Sequence, residues 1–284
     1  MKQKIFVNGT FLSPSEAKIS TLETGFLFGY GLFETMRSYE GFIFKLSEHI
    51  ERLTLSAQFF KIPLPFSKKD IAKMVQKTLI VNNLNNAYIK IILSGGEYTG
   101  ELSKPSQKSN LIIIAKPFTS YPDIYYTQGV SATFSTIRRN PSSPIYTHKT
   151  LNFLENLLAK REAEEKKFQE ALFLNTKGYL AEGCTTNIFL IKKEKVITPS
   201  LDSGILPGIT REVVLNLCRL LGLSHEERKV KLEELYKAEE AFLTNSLREI
   251  LPLTRIDSHI IGRKGKVGEI TRTLMEEYKK LTKS

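Results

Sequence analysis

The chain predicts a mixed α+β fold, and three observations carry that reading. Short apolar runs rich in β-branched residues are bounded by Gly, Asn and Pro, longer segments repeat apolar residues every three or four positions, and the two kinds alternate along the chain. Ile5-Phe6-Val7 and Thr10-Phe11-Leu12 flank Asn8-Gly9. That dipeptide takes the positive φ angles of a type I′ turn, so a hairpin opens the chain. Beyond GFLFGYGLFETMRSYEGFIF, residues Leu46, Ile50, Leu53, Ala57 and Phe60 share one helical face, with Ser47 as the candidate cap. A second helix is predicted over 70–81, then strands over 87–93 and 110–115 separated by the Gly/Ser/Lys-rich stretch 94–109.

Residues 116–128 carry two prolines and little periodicity. They mark a boundary between a small N-terminal α+β domain (1–117) and a larger C-terminal domain (129–284), with 118–128 as the linker. The second part reads as a strand over 130–136, a Pro/Ser-rich turn over 140–144, and a helix over 149–166 with Leu151, Leu154, Leu158 and Ala163 on one face. Next come a hairpin around Asn175-Thr176-Lys177-Gly178, strands over 187–191 and 195–198, and a helix over 210–221 ended by Gly222.

Composition narrows the class. With 41% hydrophobic and 25% charged residues in 284, the chain is an ordinary globular one, long enough for one large domain or two of average size. The balance of 41 Lys+Arg over 30 Asp+Glu gives +11, which suits an anionic partner such as nucleic acid, a membrane surface or a phosphorylated or carboxylated small molecule. The longest apolar run, 111–115, is far short of the ~20 residues that span a bilayer. The first residues lack a signal-peptide core, which favours a cytoplasmic address. Two cysteines and four scattered histidines argue against a disulfide framework and against a metal site. Basic residues thicken near the C-terminus (Arg263, Lys264, Lys266, Arg272, Lys279, Lys280, Lys283), but interleaved acids and the lack of an aromatic-plus-basic pattern argue against a nucleic-acid binder.

Several residues could carry chemistry. Lys149, placed in the first turn of its helix, would meet unpaired N–H groups that disfavour a cation, as a Schiff-base lysine requires; the alternative is one exposed lysine among many. Leu206-Pro207-Gly208-Ile209-Thr210-Arg211 feeds a helix N-terminus, where Gly208 permits close approach and the Ile209 and Thr210 N–H groups could hold a phosphate, or simply begin a capped helix. Glu182 ends a strand before Gly183-Cys184-Thr185-Thr186-Asn187, as a functional carboxylate or a solvated turn residue. Cys184 reads as a small buried thiol rather than a nucleophile. Arg52 lies on a helix that is apolar at 50 and 53, so it has either a buried phosphate or carboxylate partner or a surface salt bridge. Thr244-Asn245-Ser246 offers three polar side chains at a strand end.

Taken in order, FVNGTF, GFLFGYGLFETMR, EHIERL, HKTLNFLEN, EALFLNTKGYLAEGCTTNIF, LPGITR and AFLTNSLREILPL resemble the class IV aminotransferases. These are the fold-type IV pyridoxal 5'-phosphate enzymes, which include branched-chain and D-amino-acid aminotransferases and 4-amino-4-deoxychorismate lyase. The resemblance implies that Lys149 forms the aldimine with the cofactor aldehyde and then shuttles a proton. It implies that Glu182 faces the pyridine nitrogen, and that Arg52, the Gly208-Ile209-Thr210 helix start and Ser246 hold the phosphate. Phe28, Tyr30, Phe33, Arg37 and Asn245 are the implied substrate-pocket residues. It implies also a homodimer, and a cofactor in the cleft between the two domains.

Departures bear on the reaction. Phe33-Glu34-Thr35-Met36-Arg37 and Tyr88-Ile89-Lys90-Ile91 replace the Phe-Glu-Gly-Ile-Arg and Tyr-Ile-Arg-Pro common in branched-chain enzymes. The Arg-x-His carboxylate trap of the D-alanine type has no counterpart in Ser94-Gly95-Gly96-Glu97-Tyr98-Thr99. Phe-Glu-Thr and the Lys-Thr-Leu-Asn starting at Lys149 are closer to the lyase side. Leu154 stands where the family's tyrosine follows the lysine, which leaves the partner of the cofactor's 3-oxygen unassigned. Transamination is the first expectation, and pyruvate elimination from aminodeoxychorismate is the alternative.

Overall fold

The computed structural model describes residues 3–103, 106–262 and 265–283; Arg263 and Lys264 of the basic C-terminal set lie outside the described residues. The chain divides into two compact units, one built from Met1–Thr119 with His148–Asn152, the other from Ser120–Thr147 with Phe153–Ser284. The lysine segment, expected in the larger domain, thus packs as part of the smaller one.

In the first unit, β1 (Ile5–Val7) and β2 (Thr10–Leu12) form the expected hairpin, with Asn8 at φ 47° and Gly9 at φ 104°. Then come α1 (Thr24–Phe28), β3 (Gly31–Tyr39), β4 (Phe42–Ile43), α2 (Leu46–Phe59), α3 (Lys68–Val81), β5 (Ala87–Ser94) and β6 (Asn110–Pro117). The strands make an antiparallel sheet in the order β2-β1-β6-β5-β3-β4. Because side chains alternate across a sheet, Leu32, Met36, Ile89, Ile91, Leu93, Leu111 and Ile113 face one side, where they join Ile50, Leu53 and Ala57 of α2 and Ile71, Val75 and Leu79 of α3 in one core. Ser47 does not cap α2; that helix starts from Lys45 at φ 57° with no side-chain cap, whereas Ser67 caps α3 by accepting from the Asp70 N–H.

The second unit contains α4 (Ile124–Thr127), β7 (Val130–Arg139), α5 (Pro144–Thr147), α6 (Leu154–Glu165), β8 (Glu170–Asn175), β9 (Leu180–Gly183), β10 (Asn187–Lys192) and β11 (Lys195–Pro199). It continues with α7 (Ile209–Leu220), β12 (His225–Arg228), α8 (Leu232–Tyr236), β13 (Glu240–Asn245), β14 (Glu249–Ile256), β15 (His259–Ile260) and α9 (Glu269–Leu281). The sheet runs β12-β11-β10-β13-β14-β7-β8-β9, with β15 beside β14; the β11–β12, β14–β7 and β7–β8 pairs are parallel. Its central strands are buried on both faces. Leu172, Leu174, Leu180, Ile188 and Leu190 point into one cluster, and Ala171, Phe173 and Ala181 into another with Ala159 and Ala163 of α6. Within the stretch expected as linker, α4 forms and Tyr125 and Tyr126 pack on the first of these clusters.

The helix expected over 149–166 begins only at Leu154. Its buried face is Asn156, Ala159 and Ala163, not the leucine face: Leu154 is 67%, Leu157 56% and Leu158 46% exposed. Small alanines let the helix lie close to the sheet, and the Asn156 amide donates to the Cys184 carbonyl at 2.7 Å. No helix among the described residues is long and apolar enough to cross a membrane.

Candidate active site

Lys149 owes its position to an open sheet edge. Because β4 pairs only with Ser38 and Tyr39, the Gly31–Phe33 end of β3 has a vacant flank. Residues 149–151 fill it: the Phe33 N–H donates to the Lys149 carbonyl, Leu32 bridges to Thr150, and the Leu151 N–H donates to the Gly31 carbonyl, both bonds at 2.9 Å. The Asn152 amide donates to the Gly29 carbonyl at 3.0 Å. On the other side His148 stacks on Phe59 with 4.5 Å between centroids and hydrogen-bonds the Ser56 hydroxyl at 2.9 Å. Lys149 therefore sits in a turn pinned to the edge of β3, ahead of the start of α6 at Leu154, and the helix-terminus argument for its amine does not apply. Its Nζ lies 4.4 Å from the centre of the Phe33 ring. Lys90 Nζ is 4.7 Å from the same ring, and burial lowers the Lys90 pKa.

Arg52 has a buried carboxylate partner. Glu34, 1% exposed, accepts from Arg52 Nε at 2.8 Å and Nη2 at 2.7 Å, and bonds His49 Nδ1 at 2.7 Å. Burial alone would raise the Glu34 pKa; Arg52 and the His49 hydrogen bond outweigh it and hold it at about 2. Burial lowers the His49 pKa against the opposing pull of Glu34, with Arg52 and the Lys149 ammonium adding to the lowering. Both depressed pKa values mean that the unfolded chain binds more protons in acid, so stability falls as pH drops: below about 6.5 through His49 and from about 4.5 to 2 through Glu34. Glu34→Gln is expected to cost about 3–5 kcal/mol at neutral pH, because it removes the buried carboxylate paired with the largely buried Arg52 guanidinium, and to flatten the profile below about pH 4.5. Denaturant titrations across pH check this; an unchanged acid limb in the variant contradicts it.

The remaining expected pocket residues of this unit differ in exposure. Phe28 is exposed on α1, its ring edge-on to Tyr98 at 5.4 Å. The Tyr30 hydroxyl donates to the Phe60 carbonyl at 2.5 Å. The Arg37 guanidinium stacks on Tyr39 at 4.3 Å and Phe118 at 3.8 Å.

In the second unit the structure brings Glu182 and the 206–210 turn together through Asn187. Glu182, buried on β9, accepts from the Leu206 N–H at 3.0 Å and from the Asn187 amide at 3.3 Å, and the same amide donates to the Leu206 carbonyl at 2.9 Å. A Cβ on Gly208 would fall 1.9 Å from Asn187 Oδ1, so only glycine lets this turn pack so closely. Gly208 caps α7 without a side chain, leaving the first-turn N–H groups of Ile209 and Thr210 to other acceptors. Arg211 does not need an anionic ligand to explain it: its Nη2 donates to the Pro199 carbonyl at 2.9 Å and Glu227 at 2.6 Å. Asn245 ends β13 and its amide donates to the Thr185 carbonyl at 3.1 Å; half-buried Ser246 follows.

Arg139 was not visible in the sequence. It is 3% exposed at the end of β7, lies between the rings of Phe173 (4.0 Å) and Tyr146 (4.4 Å), and sets its Nη2 3.9 Å from Glu182 and Nη1 3.5 Å from Glu155. A cation beside Glu182 favours the ionised carboxylate. Its sequence signal is an Arg pair closing a strand in which apolar and hydroxyl residues alternate. Cys184 is a buried free thiol whose pKa burial and the Glu170 carboxylate raise, which suits a proton donor and not a nucleophile.

Comparison with known proteins bears on this constellation. The family described as Amino-transferase class IV matches residues 31–256. A putative branched-chain-amino-acid aminotransferase of Methanocaldococcus jannaschii is 38% identical over 280 residues, covering 97% of this chain and 95% of that one. Aminodeoxychorismate lyase of Bacillus subtilis is 35% identical over 283 residues, with 99% and 95% covered. The crystal structure of Escherichia coli branched-chain amino acid aminotransferase superposes with a TM-score of 0.94 at 28% identity, covering 99% of this chain and 95% of that one. Another branched-chain amino acid aminotransferase, solved with pyridoxamine 5'-phosphate, gives 0.92 at 28% identity and the same coverages.

Proposed function

Because this chain belongs to the class IV aminotransferase family, we propose that it is a pyridoxal-phosphate-dependent enzyme moving an amino group between an amino acid and a 2-keto acid, with Lys149 as its catalytic residue. The observation that carries this reading is the Lys149 amine, fixed over Phe33 on a segment pinned to β3. The residues fit the cofactor chemically: a lysine for its aldehyde, an ionised carboxylate for its ring nitrogen, and an uncapped helix start with a glycine at its mouth for its phosphate. When bound, the cofactor supplies the electron sink that makes an amino acid's Cα–H acidic.

This chain's side chains do the rest. Lys149 Nζ would take the proton from the amino acid's Cα and deliver it to the cofactor's former aldehyde carbon. Glu182, steadied by Leu206 N–H, Asn187 and Arg139, keeps the ring nitrogen protonated. Arg52, held by Glu34 through two hydrogen bonds, would be a phosphate ligand, as would the Ile209–Thr210 helix start and Ser246. Phe28, Tyr30, Phe33, Arg37 and Asn245 form the substrate side. We assign the protein to the cytoplasm, and to a homodimer for which Leu154, Leu157 and Leu158 provide an exposed apolar face; sedimentation mass checks the latter.

A second reading, pyruvate elimination, is favoured by the similarity to the Bacillus subtilis lyase and by Phe33-Glu34-Thr35. The two separate in one assay. Amino acid mixed with a keto acid should give amine transfer, with no pyruvate released from aminodeoxychorismate when no acceptor is present; pyruvate release without amine transfer would establish the lyase.

A further inference from the structure

Ser246 sits in a three-residue connection, Ser246-Leu247-Arg248, between β13 and β14, whose flanking residues Asn245 and Glu249 pair directly. A tip this short leaves the sheet ladder, so its position depends on side chains that tie it to its surroundings. Two do so. Asn245 Oδ1 accepts from the N–H groups of Leu247 at 3.0 Å and Arg248 at 2.7 Å, closing the turn, while its amide reaches the Thr185 carbonyl at 3.1 Å. Arg248 then crosses to Glu170, Nη1 to Oε2 at 3.6 Å, with its guanidinium 4.9 Å from the Tyr121 ring.

Glu170 is a carboxylate with no solvent exposure, at the first position of β8. An interior anion is tolerated only when donors and a counter-charge surround it. The Thr185 hydroxyl donates to it at 2.9 Å, the Thr186 hydroxyl at 3.4 Å, and the Cys184 thiol donates to its other oxygen. Gly183 is required for this packing, since a Cβ there would meet Thr186 Oγ1 at 2.1 Å. The contacts close a circuit from Glu170 to Thr185, across to Asn245, along the tip to Arg248 and back to Glu170. The circuit ties the β13–β14 tip to the turn after β9.

We propose that Glu170 is a positioning residue which, through Arg248, fixes the Ser246 tip for the cofactor's phosphate; this rests on the functional reading above. Glu182 has its own partners in Leu206, Asn187 and Arg139. Loosening the circuit therefore weakens the hold on phosphate and spares the ring-nitrogen contact. The experiment strips cofactor from wild type, E170Q, R248M and the E170Q/R248M double variant, and titrates each with pyridoxal phosphate and with pyridoxal, which lacks the phosphate. The double variant removes both charges, so no buried ion is stranded should a single variant fail to fold. Each variant is expected to bind pyridoxal phosphate about tenfold more weakly and pyridoxal within about twofold of wild type, with the double variant no worse than the singles. Equal losses for both ligands, or an unaltered preference for the phosphorylated one, overturn the positioning role alone. A wild type that takes up no pyridoxal phosphate overturns the functional reading with it.

Discussion

Lys149→Ala is expected to remove both the visible absorbance of lysine-bound cofactor and measurable turnover, while leaving the fold intact. The two consequences have one cause: the same amine holds the aldehyde and carries the proton. Structure argues that folding survives. The segment is held through the Lys149 carbonyl, the Thr150 bridge, the Leu151 N–H and the Asn152 amide, and none of these uses the Lys149 side chain. Turnover should fall by several orders of magnitude, on the order of 10⁴-fold or more, with thermal stability close to wild type. Absorbance and melting curves on one preparation check it; a variant that keeps the absorbance would assign the covalent role elsewhere.

Glu182→Gln carries the next largest effect. The amide still fills the space and can accept from the Leu206 N–H, but it has no charge to hold a proton on the ring nitrogen. Cofactor should therefore remain bound while turnover drops on the order of 10²–10³-fold, a loss comparable to deleting one aimed electrostatic contact in other enzymes. Arg139, 3.9 Å from the carboxylate, loses that charged neighbour and keeps Glu155 at 3.5 Å. Rates within a few-fold of wild type would remove Glu182 from this role.

Much of the architecture was legible because it is local. Asn8-Gly9 dictates its own turn, the apolar spacing of α2 needs only neighbours three and four residues away, and Gly222 ends α7 by its left-handed φ. The start of α6 departs from expectation for the opposite reason. Leu151 falls in helical register with Leu154 and Leu158, yet residues 149–151 are captured by the edge of β3, a partner remote in the chain. Tertiary pairing overrode local propensity there. The leucine face of α6 misleads likewise, since close packing on the sheet selects Ala159 and Ala163 and leaves the larger side chains outward.

The candidate residues were readable as a set, not their support. Arg52 and Glu182 stood out as charges beside apolar runs, but nothing local announced that Glu34 would hold Arg52, that Arg139 would approach Glu182, or that Glu170 would bind two turns together. Each of these partners comes from a different strand or helix and is brought into reach only by sheet order.

The central claim is that residue 149, and no other lysine, carries the cofactor. Borohydride reduction of the purified, cofactor-loaded protein followed by peptide mapping addresses it without any assumption about substrate. The account predicts a single phosphopyridoxyl group on the peptide containing His148-Lys149-Thr150. The same group on Lys90 or another lysine, or on none, would contradict it.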